Sequence, residues 1–400
     1  MDKKPEKLVP EVRFKGFTDD WEQRKLKQVA NIIDPHPSHR APKQVANGIP
    51  FIGISDVNEI GQIVNKSVRR VSEKVYEEHH KRYDLSKPSL GIGRVASLGK
   101  IIRLRNDLGK YAISPTLSVL QSFTFTNIDC LYASLNSEKF QNQFRNLSNG
   151  STRQSVGIKD LREVKIYFPL SQKEQNLIGN VFIRLDKLIT LQQRKLEQLK
   201  QLKKAMLQQL FVDKNNKQPI LKFKNFRNNW REYKLGEIVN LEDNKRKPVK
   251  ATERMRGEIP YYGANGIQDY VKGYTHIGKH VLIAEDGANS VDDYPIYFIS
   301  SPSWINNHTH VLTAKQEILS SEFLSYALKK INYAKYLVGS GRYKLNAEIL
   351  KLIPLQIPTM NEQKNIEINL SKIDKLISLQ QNKLTQLTTL KKYLLQKMFI

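Results

Sequence analysis

The chain contains two copies of one sequence plan, and this repeat restricts the possible folds more than any other feature. A Phe-x-x-Phe-x-x-x-Trp motif begins at Phe14 and recurs at Phe223, an offset of 209. An Asp-Lys-Leu-Ile motif begins at Asp186 and recurs at Asp374, an offset of 188. Apart from two Gly-Ser-x-Arg motifs and the prolines that follow them, the sequences between these anchors are mostly dissimilar. The repeat therefore predicts two units with the same frame and different contents.

Each Asp-Lys-Leu-Ile motif lies in a stretch with helical periodicity. Alternating steps of four and three residues from Ile178, and likewise from Ile366, meet apolar side chains at eight of ten positions, and the two exceptions are a Gln and a Lys at equivalent places. This spacing is typical of a coiled-coil seam, in which a polar residue can fix the register. Two amphipathic helices that pack on separate domains are the alternative. We predict that the helices pair through a seam that contains Leu185, Ile189, Gln192, Leu196, Leu199, Ile373, Ile377, Gln380, Leu384 and Leu387.

The connections predict the arrangement of the units. If two equivalent units are related by a pseudo-twofold axis, the helices that leave them must pack antiparallel. The predicted fold class is α+β, with two tandem-repeated α/β-type domains separated by two long antiparallel coiled-coil helices. The polar segment 213–219, which ends in a proline, marks a boundary. The predicted divisions are residues 1–170, the first domain; 171–212, the first helix; 213–358, the second domain; and 359–400, the second helix.

Within the domains, the sequence predicts mainly short strands. Segments of apolar and β-branched residues bounded by Gly, Pro, Asn and Asp are typical of strands, and helical patterns are fewer, around residues 137–147 and 320–337. The predicted strands lie at 50–54, 101–104, 164–168, 280–284 and 296–299.

The charge distribution favours a polyanionic partner. The chain has 65 Lys and Arg against 39 Asp and Glu, a net charge of +26, and both predicted domains are basic. Counterion release favours nucleic acid as the partner; an anionic membrane competes, but no basic helix has a Trp- and Phe-rich apolar face. Solvated strand faces and ordinary loops are the alternative for each cluster. The predicted DNA contacts are Arg94, Lys100, Arg103, Arg105, Lys110, Arg153, Lys245, Arg246, Lys247, Arg342, Tyr343 and Lys344.

No sequence motif indicates a cofactor or metal site. There is no phosphate-binding loop, and His308-Thr309-His310 has no carboxylate or cysteine at metal-ligand spacing. The same holds for His79-His80. We therefore predict that this chain binds no metal and no cofactor and has no catalytic residue.

The rival hypothesis is a self-contained, metal-dependent nuclease that uses Asp129, Glu163 and Lys165. Its signature, Glu-x-Lys, occurs three times, which chance predicts for a chain so rich in lysine. The second copy has Leu352 and Pro354 where the first has Glu163 and Lys165, so the site is not repeated.

The chain also lacks the marks of secretion. It begins with a charged segment, and no apolar run approaches the ~18 residues of a membrane helix. Its single cysteine, Cys130, cannot form an internal disulfide and is expected to be a small buried apolar side chain. We expect a cytoplasmic protein.

These features together resemble the DNA-specificity subunits of type I restriction-modification systems, and the resemblance spans nearly all 400 residues. It rests on the repeated Phe-x-x-Phe-x-x-x-Trp motif, on the Gly-Ser-x-Arg motifs that end at Arg153 and Arg342, and on the Glu-Gln pairs at Glu174 and Glu362 that open the helices. Each motif alone is weak. Their repeated order and spacing make the resemblance specific.

The resemblance implies a non-enzymatic subunit with two target-recognition domains, each reading one half of a bipartite, asymmetric DNA sequence. It implies assembly with two modification subunits that methylate adenine and with restriction subunits that translocate and cut, so S-adenosylmethionine, ATP and Mg²⁺ would bind to the partners. The family has no general residue code for bases. The first domain is the longer one, because the motif offset falls from 209 to 188 along the chain, so two different half-sites are expected. A coiled-coil adaptor without DNA specificity is a third hypothesis.

Overall fold

A computed structural model of the chain describes residues 8–36, 41–58, 60–65, 67–95, 97–148, 154–213, 216–226, 228–339 and 343–400. The chain divides into two compact units, Met1–Arg194 with Gln381–Ile400, and Lys195–Gln380. Each unit therefore contains one β-rich domain, the first part of the helix that leaves this domain, and the last part of the other helix. No helix in the described ranges has the length and hydropathy needed to cross a membrane.

The first unit begins with a mixed domain and continues into a long helix. Its strands are β1 (Glu22–Lys25), β2 (Ala30–Ile33), β3 (Ile49–Ile52), β4 (Arg70–Val71), β5 (Ser89–Gly93), β6 (Ile101–Leu104), β7 (Ala112–Ile113), β8 (Leu117–Ser122) and β9 (Lys165–Phe168). Its helices are α1 (Glu73–His80), α2 (Ile128–Leu135), α3 (Glu138–Asn146), α4 (Ile158–Glu163) and the start of α5 (Gln172–Gln209), with a 3-10 turn at Leu26–Gln28.

The second unit has a corresponding set of elements. Its strands are β10 (Arg231–Lys234), β11 (Val239–Leu241), β12 (Arg256–Gly263), β13 (Gly266–Val271), β14 (His280–Ala284), β15 (Ile296–Ile299), β16 (Trp304–Ile305), β17 (Thr309–Ala314) and β18 (Pro354–Ile357). Its helices are α6 (Leu235–Ile238), α7 (Ser321–Leu328), α8 (Ala347–Leu352) and α9 (Met360–Lys397), with 3-10 turns at Asp243–Lys245, Ala251–Glu253 and Tyr333–Lys335.

The two domains have the same sheet topology although their sequences differ. An antiparallel sheet has the order β2-β8-β5-β6 in the first domain and β11-β17-β14-β15 in the second. A three-stranded sheet has the order β4-β3-β7 in the first domain and β13-β12-β16 in the second. Its central strand pairs antiparallel with one neighbour and parallel with the other. A two-stranded sheet, β1-β9 or β10-β18, precedes each long helix. The predicted mixed fold with a repeated domain is confirmed.

The length difference between the domains is concentrated in one segment. The chain from the start of β2 at Ala30 to the start of β5 at Ser89 is clearly longer than the equivalent chain from Val239 to His280. This longer segment includes α1, and Tyr83 and Leu85 after it are buried beside β3 and β6 in a separate apolar cluster. The corresponding cluster of the second domain has fewer buried residues, namely Leu282, Ile299, Ile305 and Val311.

Repeated aromatic residues form the core where each domain meets the helices. In the first unit, Trp21 lies edge-on to Phe399, with ring centroids 5.9 Å apart. In the second unit, the equivalent Trp230 lies edge-on to Phe211 at 6.0 Å. Phe211 follows the end of α5 and Phe399 follows the end of α9, so each domain buries the end of the helix that begins beside the other domain.

The repeated Glu-Gln pairs bind each helix start to its domain. Glu174 accepts a hydrogen bond from Trp21 Nε1 at 3.3 Å, and Glu362 accepts one from Trp230 Nε1 at the same distance. The adjacent glutamine, Gln175 in the first unit, accepts from a backbone N–H before α2 and donates to the Pro169 carbonyl. Gln363 makes the same two kinds of contact in the second unit. These buried polar contacts explain why the motifs repeat.

Ion pairs connect the two long helices within each unit. In the first unit, Asp186 of α5 lies 2.7 Å from Lys391 of α9. In the second unit, the equivalent Asp374 of α9 lies 2.5 Å from Lys203 of α5. Lys203 and Lys391 are the lysines that interrupt the apolar periodicity, and each has the Asp of the other helix as its partner.

All predicted seam residues are buried or half-buried. Leu185, Gln192, Leu196, Ile373 and Gln380 are buried, whereas the other five predicted seam positions are half-buried. Coiled-coil packing along the whole seam stays a prediction.

One helix prediction needs correction, and one helix was missed. The pattern at 320–337 predicts one helix, but α7 ends at Leu328, and the Asn332 side chain then caps the 3-10 turn by accepting from Ala334 N–H. Helix α2 was not predicted. Six consecutive residues from Cys130 to Leu135 are buried, so the helix has no polar face and no amphipathic period to detect. Cys130 is fully buried, as expected, and burial raises the pKa of its thiol.

Candidate nucleic-acid interface

In each domain, loops gather at one edge of the four-stranded sheet, which we call the loop edge. In the second domain it comprises 242–246, 285–290, 306–310 and 343–345, next to the ends of β11 and β14 and the start of β17. Backbone hydrogen bonds connect these loops, because Glu285 N–H donates to His308 O at 2.9 Å and Leu345 N–H donates to Glu285 O at 2.7 Å. The equivalent segments of the first domain are 34–36, 94–95, 97–100, 114–118 and 154–156.

Charged side chains form a half-buried network at the second loop edge. The Arg246 guanidinium lies 2.7 Å from Glu285 and 3.5 Å from Asp243. Lys344 lies 3.0 Å from Glu285, and His310 Nδ1 lies 2.5 Å from Asp243. This arrangement offers both carboxylates and cations, which are the groups that recognise cytosine amino groups and guanine edges.

The electrostatics of this network follow from its ion pairs. Burial acts to raise the pKa of Asp243, but the hydrogen bond with His310 and the nearby Arg246 more than offset it, so this pKa lies below its ordinary value. Burial likewise acts on Glu285, where the hydrogen bonds from Arg246 and Lys344 lower the pKa. Both carboxylates are therefore ionised at neutral pH and serve as hydrogen-bond acceptors.

The first loop edge has the same backbone and different chemistry. Arg94 stands where the second domain has Glu285, and Asp34 stands where it has Asp243. Arg94 donates to the carbonyls of Val156 at 3.4 Å and Pro115 at 3.3 Å, and it lies 3.9 Å from Asp34. Burial lowers the pKa of Arg94. A shared loop framework thus presents opposite charges at one equivalent position.

The structure brings some of the predicted DNA contacts to the loop edges. Arg94 and Lys100 lie there in the first domain, and Lys100 Nζ donates to the carbonyls of Ile54 and Val57 at 3.1 and 3.0 Å. The second loop edge contains Arg246, Lys344, the exposed Tyr343, and Lys245, whose partner is Glu242 at 2.5 Å. Lys247 is exposed next to it. Arg153 and Arg342 lie outside the described residues.

Three other predicted contacts lie away from the loop edge. Arg103 pairs with Asp129 and covers the Tyr132 ring at 4.1 Å. Arg105 pairs with Asp107, and Lys110 lies 2.6 Å from Glu73. These three cations have carboxylate partners within the domain. Their contact with DNA stays a prediction.

One potential metal-ligand group was missed by sequence reasoning. The ligand atoms of Asp243, Glu285 and His310 lie within 4.8 Å of one another, the only such group of three found in the part of the chain that the structure describes. Asp243 and His310 are far apart in the sequence, so the spacing gave no signal. Because Arg246 and Lys344 already neutralise these carboxylates, the geometry favours an ion-pair network over a metal site.

The two carboxylates of the nuclease hypothesis pair with different basic side chains. Asp129 pairs with Arg103, whereas Glu163 lies 2.6 Å from Lys25 and also pairs with Lys27. The hydrogen bonds from these two lysines lower the pKa of Glu163 to about 2. Each carboxylate therefore has cationic partners of its own.

The topology also shows a repeat within the domains that sequence reasoning missed. Ile49-Pro50-Phe51-x-Gly53 in and after β3 matches Ile259-Pro260-Tyr261-x-Gly263 in β12. Both segments pair with a parallel strand on one side and an antiparallel strand on the other. The signal is short, and its offset differs from that of either anchor, so it does not extend the repeat that the anchors define.

Comparison with known proteins identifies the family of the chain. The chain belongs to the family described as the type I restriction modification DNA specificity domain, which matches it twice, at residues 18–201 and 227–389. The predicted resemblance is confirmed. Specificity subunits of type I systems are non-catalytic DNA-recognition subunits.

Curated relatives match parts of the chain. It is 47% identical over 132 residues to a Haemophilus influenzae protein described as a putative type I restriction enzyme specificity subunit. It is 23% identical over 263 residues to the type I restriction enzyme MjaIX specificity subunit of Methanocaldococcus jannaschii. These matches cover 33% and 60% of this chain, and they span 34% and 57% of the relatives' own lengths.

Solved structures match nearly the whole chain. The S subunit of a type I restriction-modification system from M. genitalium superposes with a TM-score of 0.72 at 18% identity and covers 98% of this chain and 99% of that one. A chain from a structure concerning the complex assembly of a type I R-M system superposes with a TM-score of 0.51 at 16% identity, with 98% of each chain covered. At these identities the likeness concerns the fold.

Proposed function

We propose that this chain is the subunit that selects the target of a type I restriction-modification complex. Its two domains, residues 1–170 and 213–358, would each read one half of a bipartite, asymmetric DNA sequence. Partner subunits would then methylate adenine or translocate and cut DNA at the selected site. We expect the assembly to act in the cytoplasm.

The observation that carries this proposal is the repeated domain with unlike loop edges. A shared sheet topology holds equivalent loops in both domains, while Arg94 in one domain replaces Glu285 in the other. Arg pairs best with guanine and Glu with the cytosine amino group. Two domains with one framework and different side chains suit a DNA target with two different halves.

The long helices suit the roles of spacer and docking surface. Helices α5 and α9 have 38 residues each, which corresponds to about 57 Å of helix. Outside the buried seam they expose apolar side chains at repeated positions, Leu188 and Leu191 on α5 and the equivalent Leu376 and Leu379 on α9. Exposed leucines in such number indicate a protein interface, and two equivalent patches suit two modification subunits.

The division of chemistry between subunits follows from this role. We propose that S-adenosylmethionine, ATP and Mg²⁺ bind to the modification and restriction subunits and that this chain positions those subunits on DNA. Its candidate contacts, the Arg94 and Lys100 group and the Lys245–Lys247 and Tyr343–Lys344 groups, would supply phosphate and base contacts.

An exchange of domains tests the proposal. Residues 10–169 are replaced by the equivalent segment of a relative with another target, and adenine methylation is mapped in cells that also contain the modification subunits. The expected result is a new first half-site with an unchanged second half-site. The reciprocal exchange of residues 219–358 is the matched control and should change the second half only. A change in both halves, or methylation without target choice, would contradict independent reading.

A further inference from the structure

The second domain has an exposed β-ribbon that continues from its loop edge. Strands β12 and β13 form an antiparallel hairpin, and Asn265 lies in its turn. The Asn265 side chain donates to Gly287 O at 2.9 Å and accepts from Asn289 N–H at 2.9 Å. These bonds fix the tip of the ribbon to the loop edge, so the ribbon and the loops form one continuous surface.

A bulge in this ribbon places one amide side chain on the surface. Tyr261 faces Asp269 across the ladder, but the next residue, Tyr262, faces Ile267, so Gln268 has no counterpart on β12. Ile267 and Gln268 are both exposed, although successive side chains of a regular strand point to opposite faces. The Gln268 amide lies over Gly263, where a Cβ atom would come within 2.2 Å of its nitrogen. A bulge is a common device for redirecting a side chain near a functional site.

Two large apolar side chains of the ribbon, Ile267 and Tyr270, are exposed. Tyr270 lies opposite Pro260 and is 52% exposed, and Ile267, opposite Tyr262, is 48% exposed. Tyr262 contacts Tyr297 of β15, with ring centroids 6.3 Å apart. The equivalent residue of Tyr262 in the first domain is Ile52, which is 1% exposed. The first domain therefore buries this position fully, whereas the second domain leaves it half-buried.

The charges around the ribbon favour DNA as the occupant rather than a protein. Three exposed cations form no ion pair with a described carboxylate: Lys247, Arg256 and Lys272. Between residues 247 and 272, Glu258 is the one described carboxylate without a basic partner. Glu253 lies near Lys250, and Asp269 lies near Arg254. Uncompensated cations beside an exposed ribbon are complementary to phosphates.

We propose that the β12–β13 ribbon enters the major groove and that Gln268 and Tyr270 select bases in the second half-site. The major groove, about 12 Å wide, admits a two-stranded β-ribbon, and a glutamine amide pairs with adenine through two hydrogen bonds. Lys272 and Arg256 then contact the flanking phosphates. This inference rests on the proposed function. It names the element and the side chains of the second domain that select bases.

The first domain carries a different residue at the equivalent place. Pro50 of β3 corresponds to Pro260, and the residue opposite Pro50 is Arg70, which is exposed. Arg70 therefore corresponds to Tyr270. An arginine and a tyrosine at one ribbon position agree with two domains that read unlike half-sites.

Selection from a DNA library with one randomised half-site tests the ribbon. The full chain is assembled with its modification subunits, and wild type, Gln268→Ala, Gln268→Glu and Tyr270→Ala are compared. Gln268→Ala should reduce the preference at one base pair of the second half-site by roughly tenfold and leave the first half-site unchanged. Gln268→Glu should move that preference toward cytosine, which partial unfolding cannot produce.

The phosphate contacts are tested separately. Lys272→Ala should reduce the slope of log affinity against log salt by about one unit. Lys335→Ala, which removes another exposed cation of the same domain away from the ribbon, should leave the slope unchanged. Equal slopes for the two variants would overturn the assignment of Lys272.

The outcomes separate the ribbon from the proposed function. If wild type selects a bipartite sequence and the Gln268 and Tyr270 variants select the same sequence with the same stringency, the ribbon assignment is overturned while the proposed function stands. If wild type selects no sequence, both fail. A changed second half-site with an unchanged first half-site supports the ribbon.

Discussion

The buried ion pair between Asp186 and Lys391 gives the sharpest prediction about the helices. The Asp186 side chain is 3% exposed and Lys391 is 16% exposed, so Asp186→Ala leaves a largely buried ammonium without its partner. Breaking such a pair costs about 3 kcal/mol of the free energy of unfolding. Replacement of both residues, Asp186→Leu with Lys391→Met, leaves no unpaired ammonium, and Arg103, 3.9 Å from Asp186, keeps its partner Asp129. The double variant should therefore be close to neutral.

The second unit supplies a matched control. Asp374, the equivalent carboxylate, is 36% exposed, and its partner Lys203 is 19% exposed. Lys203 is about as buried as Lys391, but water can enter where the more exposed Asp374 carboxylate stood and solvate Lys203. Asp374→Ala should therefore cost less, about 1 kcal/mol, although it also removes the acceptor of the Tyr326 hydroxyl.

Urea unfolding measures these free energies, and hydrogen exchange of the helix peptides shows which unit is affected. Equal costs for Asp186→Ala and Asp374→Ala would refute the dependence on burial. A double variant as unstable as Asp186→Ala would refute the argument from the uncompensated charge.

Three further predictions concern acidity, salt and spacing. Burial raises the pKa of Glu362 above its ordinary value of 4.5, so the folded state binds this proton more tightly, and stability falls as pH rises through that raised pKa. Glu362→Gln should remove this fall in stability, measured as urea midpoints from about pH 4 to 7. Glu174→Gln should instead destabilise the protein at neutral pH, because Arg13 loses the carboxylate that lies 2.7 Å from it. The reverse pattern would contradict the roles given to these two glutamates. DNA binding should weaken steeply with salt, and an affinity that is flat between low and physiological salt in a filter or fluorescence titration would exclude phosphate contacts. One heptad inserted after Gln193 and another after Gln381 adds about 10.5 Å to each helix. The unread spacer between the half-sites should lengthen by at most about 3 bp. A stable, active variant that methylates only sites with the original spacing would disprove the role of the helices as a ruler.

Local pattern was sufficient for the frame of this protein. The helices were predictable because apolar residues recur every three or four positions over about ten turns, and a periodicity of that length outweighs local exceptions. The domain-level repeat was predictable because Trp21 and Trp230 bind buried carboxylates at the helix starts, a contact that tolerates few other residues. The apolar periodicity of the helices could not explain the two lysines that interrupt it, Lys203 and Lys391.

The site depended on contacts between residues distant in sequence. Arg94, Arg103 and Arg105 form one cluster in the sequence, yet Arg103 and Arg105 pair with carboxylates of their own domain and Arg94 alone of the three joins the loop edge. Spacing cannot report such a division, because partner choice depends on which strands are adjacent in the sheet.

The amino-acid sequence by itself determined the repeated frame, the two long helices and the family, because periodicity and motif order are local properties of a chain. Only the tertiary structure decided which charges face each other. It joined Asp243, Glu285 and His310 from three separate strand ends, gave Lys391 its partner in Asp186, and gave two dissimilar domain sequences one sheet topology. The reason is physical: burial and ion pairing are set by the neighbours that folding brings within a few ångströms, and many different sequences can supply the apolar faces that the same sheets require.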